Sequence, residues 1–138
     1  MKHPLNASLK LFALALIPVL AACGAPSVED AEASLCQDLN GLAGSLSNLA
    51  QLNAQSTVKE LETAKQDVVK AYQAVQSSAD TVEAARMDNL ETAYNDFDNT
   101  VSSISGRDTL GEAAVTINTA AEGVATARQQ LYSSLNCQ

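Results

Sequence analysis

Residues 77–91, SSADTVEAARMDNLE, decide the fold. Two apolar stripes meet there. Upstream, Val58, Leu61, Val68, Tyr72, Val75, Ala79 and Val82 recur at three- and four-residue steps, with Lys65 filling one seam position. Downstream, Leu90, Tyr94, Phe97, Val101 and Ile104 do the same. Such spacing lays a single apolar face along a helix. The two faces are out of phase, because Val82 to Leu90 is a step of eight where a heptad needs seven. Asp80 with Glu83, and Asp88 with Glu91, are both capping pairs for a new helix. The stretch therefore reads either as a break between two helices or as a skip within one long helix over 57–104.

The flanking segments are also helical in pattern. Leu35, Leu39, Leu42, Leu46 and Leu49 form a stripe whose steps alternate four and three, predicting a first helix over about 31–52. Thr57 and Glu60 form a capping box that starts the second, over about 57–78. The third then covers about 80–104. Ser105-Gly106-Arg107-Asp108 is the clearest break, with a glycine suited to ending a helix. Thr109 and Glu112 form another capping pair. Leu110, Ala114, Ile117, Ala121, Val124, Arg128, Leu131 and Leu135 predict a fourth helix over about 109–135, with alanines suited to close packing. No segment alternates with period two, so no sheet is expected.

The cysteines bear on the choice. Besides Cys23, the chain has Cys36 and Cys137, near the start of the first helix and after the last. An internal disulfide would close a loop of about 100 residues, worth roughly 4–5 kcal/mol in loop-closure entropy. Two free thiols or an intermolecular bridge are the alternatives. An antiparallel bundle with an even number of helices brings those two ends together; a compact three-helix bundle holds them too far apart to bond. The expected fold is all-α, an up-down-up-down four-helix bundle closed by Cys36–Cys137. In the alternative, an unbroken central helix 57–104, about 72 Å long, carries two shorter helices alongside.

The N-terminus carries the functional signal. Residues 1–10 contain Lys2 and Lys10 and no acid, and 11–20, LFALALIPVL, are apolar throughout. Ten helical residues rise only about 15 Å, too little to cross a bilayer. A basic start, an apolar middle and small residues make a secretory signal. Leu20-Ala21-Ala22-Cys23 resembles the lipobox of bacterial lipoproteins. The resemblance implies cleavage between Ala22 and Cys23, with diacylglyceryl on the Cys23 thiol and a fatty acyl group, such as palmitate, on the new amine. The domains would be a signal peptide 1–22, a lipidated tether 23–30 and a helical body 31–138. Two or more chains give a stable anchor. The partner is then a membrane on its extracytoplasmic side. That is the outer face of the plasma membrane or, since Gly24 is not Asp, the outer membrane of a Gram-negative cell.

Composition narrows the rest. Cleavage takes two lysines and no acid, turning the chain's formal −8 into −10. That surface argues against nucleic acid. The sole histidine, His3, precedes Cys23, so the mature chain lacks His-based triads and His-ligated metal. No cofactor is expected. Asp96-Phe97-Asp98-Asn99 faintly resembles a calcium loop but has Val101 where the glycine belongs. Glu60, Glu62 and Asp67, and Glu83, Asp88 and Glu91, read as solvated helix faces. The segments NLETAYNDFDNTV (89–101) and LYSSLNC (131–137) resemble small helical exported proteins of actinobacteria. The function expected is a non-enzymatic structural or interaction protein of the cell envelope, with an envelope protein as partner. The alternative is a small-ligand or lipid carrier with a Leu- and Val-lined cavity above about 300 Å³ between helices.

Overall fold

The computed structural model describes residues 24, 26–82, 85–104 and 109–138. Four α-helices follow in order: α1 Val28–Leu49, α2 Val58–Ala79, α3 Asp88–Ser102 and α4 Ala113–Ser134. They form an antiparallel bundle. Helix α1 packs along α2, α3 along α4, and α1 along α4. The junction at 77–91 is a break: α2 stops at Ala79, and Asp80 caps its end with its N–H on the Gln76 carbonyl. Val82 turns inward from the connection and is buried. The long central helix is thereby excluded.

Each stripe becomes core. Leu35, Leu39, Leu42, Leu46 and Leu49 are buried, as are Leu61, Val68, Val75, Leu90, Phe97, Ile117 and Val124. No polar or charged residue among those described is fully buried. The α2–α3 seam is wider than the others and is spanned by large side chains. The rings of Tyr72 and Tyr94 stack at 3.8 Å with 8° between planes, and Phe97 lies against Tyr94 at 6.4 Å. Lys65, which fills a seam position in the sequence, pairs with Asp98 at 2.8 Å and donates to Ser102 at 2.9 Å.

Three helix starts differ from the sequence reading. α1 begins at Val28, not 31, because Ser27 accepts from the Asp30 N–H at 3.2 Å and donates to its carboxylate at 2.7 Å. The tether before the body therefore ends at Ser27, not at Asp30. α3 begins at Asp88, not 80, since Asp80 is occupied in ending α2. Neither Asp80 nor Asp88 is an N-cap; that position is Met87, without a side-chain cap. α4 begins at Ala113, not 109. Thr109 instead makes an isolated antiparallel bridge with Thr57, and Gly111 takes a φ of 53°, a left-handed conformation that keeps the chain out of the helix. The ends at Leu49, Ser102 and Ser134 fall within a turn of those expected. Only the Thr57–Glu60 capping box is present in full. The Ser105–Asp108 break lies outside the described residues.

Burial raises the pKa of Tyr72, with the Glu91 carboxylate adding to it, and burial together with Asp98 raises that of Tyr94. The folded state thus favours the neutral phenols. Their contribution is intact below the ordinary value of about 10 and is lost as pH rises through the higher folded values. Denaturant unfolding measured across that range will show stability falling on the alkaline side, with a shallower fall in Tyr94→Phe. At neutral pH, Phe97→Ala will cost about 3–5 kcal/mol by the same assay.

Candidate functional site

The fold brings chain segments together at both ends of the bundle. At one end Cys36 and Cys137 form a disulfide, with Cα atoms 5.6 Å apart and a sequence separation of 101. Cys36 lies in the third turn of α1, and Cys137 follows α4. Asn136 takes a left-handed φ of 53°, which turns the chain from the end of α4 to present Cys137. Both cysteines are partly buried and pack on the core. At the other end, Leu110 N–H donates to the Ser56 carbonyl at 2.9 Å and Gly111 N–H to that of Ala54 at 3.0 Å. The turn after α1 is therefore hydrogen-bonded to the segment entering α4. The lipidation and cleavage positions, Cys23 and Ala22, lie outside the described residues.

The candidate carboxylates do not gather. The Glu60 carboxylate accepts from the Thr57 N–H at 2.7 Å and from its hydroxyl at 2.9 Å, and these bonds hold its pKa below the ordinary carboxylate range. Glu62 and Asp67 are exposed on α2. Asp88 and Glu91 sit in the first turn of α3, where negative charge meets the positive end of the helix dipole. Glu83 lies outside the described residues. Asp96–Asn99 is continuous helix, with Phe97 in the core and Asp98 paired to Lys65. Among the described residues no three His, Cys, Asp or Glu side chains cluster as a metal site.

One feature is not apparent in the sequence. The half of the α1–α4 seam away from the disulfide opens into a cleft of about 360 Å³. Ala43, Leu46, Ser47 and Ala50 of α1 form one wall. Asn118, Ala121, Glu122 and Ala125 of α4 form the other, with Arg128 at the end toward the disulfide. Its volume passes the roughly 300 Å³ expected of a carrier, but Leu46 is the one Leu or Val among its nine lining residues and it opens on the surface. Within it, Asn118 Oδ1 is buried without a hydrogen-bond partner. Arg128 is half-buried and has no carboxylate partner among the described residues. Its guanidinium donates to the Leu39 carbonyl at 3.4 Å and to Gln129 at 2.5 Å, and it lies 5.4 Å from the Tyr132 ring centroid. The seam position of Arg128 was legible; its lack of an acidic partner among the described residues was not.

No family model, curated protein or solved structure matches the chain.

The disulfide closes nearly the whole described body, so its loss releases a large loop-closure entropy to the unfolded chain. The double variant Cys36→Ser/Cys137→Ser will lose roughly 4–5 kcal/mol against wild type in chemical denaturation. Added reductant will lower wild type toward the variant and leave the variant unchanged.

Proposed function

We propose that this is a lipid-anchored, non-catalytic interaction protein of the bacterial cell envelope, held on the extracytoplasmic side through Cys23. The observation that carries this reading is Leu20-Ala21-Ala22-Cys23 directly after a basic start and a ten-residue apolar run. Several features are consistent with it. No described helix is long and apolar enough to cross a membrane. Ser27 starts the body four residues after Cys23, and four extended residues reach at most about 14 Å. A body anchored there would stand close to lipid with its disulfide end inward, and the turns at 53–57 and 109–111 would face outward.

The non-catalytic part rests on chemistry the mature chain does not carry. Beyond Cys23 it has no histidine, and its two other cysteines are joined to each other. Its candidate carboxylates among the described residues are occupied in capping and pairing or lie on solvated helix faces.

Mass spectrometry of the protein extracted from membranes will find the chain starting at Cys23 and carrying diacylglyceryl plus, where acylated, a further fatty acid. Cys23→Ser will leave the membrane fraction. An unmodified Cys23, or a Cys23→Ser variant still held in membranes, overturns the anchor. Affinity capture from those membranes will recover a protein partner; a co-purifying lipid with no protein overturns the interaction role.

A further inference from the structure

The disulfide is not sealed in the core. Cys36 and Cys137 are both partly exposed, and together they line a surface hollow of about 440 Å³ beside the first half of α1. Thiol–disulfide exchange begins when a thiolate attacks one of the two sulfurs, and exposed disulfides are the ones that exchange. The hollow is the approach to these sulfurs, and it is charged. Glu29 and Glu32 line it, seven and four residues before Cys36. Those steps put all three side chains on one face of α1, with Cβ atoms of neighbours about 5–6 Å apart. Neither carboxylate has an ion-pair partner among the described residues, and no described lysine or arginine lines the hollow.

Thiolates that attack or leave are stabilised by a neighbouring cation. Here the chain places carboxylates beside the sulfur instead, so the cation has to arrive with the attacking thiol. We propose that Cys36–Cys137 is an exchange site selective for thiols that carry a cationic group beside the sulfur. The thiolate bonds to Cys36 Sγ with its cation on Glu32 and Glu29. The Sγ–Sγ bond breaks, and Cys137 leaves as a thiolate on the side away from those carboxylates and takes a proton from water. A second thiol then attacks the mixed disulfide, releases Cys36 as a thiol and departs joined to the first. Two thiols are oxidised to one disulfide, and the protein's disulfide gains two electrons and two protons. This goes beyond the anchoring role and does not depend on whether Cys23 carries lipid.

The test is the rate of reduction of the native full chain in nonionic micelles by cysteamine, mercaptoethanol and mercaptoethanesulfonate, which are cationic, neutral and anionic. Samples quenched with iodoacetamide and peptide-mapped report Cys36 and Cys137 alone. Each rate is divided by that of the same thiol with hydroxyethyl disulfide, which removes differences in nucleophilicity. At about 10 mM ionic strength the rates will fall in the order cationic, neutral, anionic, by about threefold or more per unit charge. Near 1 M salt, where the Debye length is about 3 Å, the order will collapse. Glu29→Gln/Glu32→Gln will lose at least about half of the selectivity. Glu62→Gln/Asp67→Asn, which removes the same charge from the exposed face of α2, will keep it. The proposal is overturned if the three thiols react alike, if the rate does not depend on thiol concentration because unfolding limits it, or if the α2 variant loses as much selectivity as the α1 variant.

Discussion

The bond between Cys36 and Cys137 joins the first helix to the residues just past the last, and the bundle's arrangement depends on that closure. With three helices these ends would be separated by the length of the molecule. With four they are neighbours, and α1 and α4 must lie side by side. The backbone bonds from Leu110 and Gly111 to Ser56 and Ala54 close the same seam at its far end. Helices α1 and α4 are therefore tied covalently at one end and through hydrogen bonds at the other. Between the ties their small side chains leave the cleft.

The remaining contacts follow from side-chain size. Leucines of α1 fill the space toward α2, and alanines of α4 let it approach its neighbours closely. Across the α2–α3 seam the backbones stand farther apart, and the stacked tyrosines and the Lys65–Asp98 pair fill the interval. The Lys65–Asp98 pair is partly exposed to solvent, so it adds at most about 1 kcal/mol. Close packing along α1–α2 and α3–α4, aromatic packing along α2–α3 and an α1–α4 seam that opens over half its length give a bundle with a cleft between the tied ends.

Much of this was legible in the residues. The 3–4 spacing marks all four helices, because burial on one face imposes that period whatever the partner. The two cysteines select the even-numbered topology. The helix starts were less legible, since a Ser/Thr/Asp followed by an acid is a local signal and says nothing of rival uses for the same groups. Asp80 was already ending α2, and Thr109 was already paired with Thr57. Ser27 and Asp30 capped α1 where proline and glycine nearby suggested only tether. The Lys65–Asp98 pair and the cleft join residues far apart in sequence, so no spacing rule reveals them. Alanines at 121 and 125 suggest close approach; in the structure both line the open cleft, Ala121 buried and Ala125 partly exposed.

The closure of α1 on α4 is most directly tested by a distance between the two turns opposite the disulfide. Spin labels at Gln55 and Glu112, both exposed, report it in the intact chain by pulsed electron resonance. Neighbouring helices lie 8–10 Å apart, so with the label arms the distance will fall below about 25 Å. A distance near 70 Å, the length of an unbroken 57–104 helix, would contradict the four-helix closure.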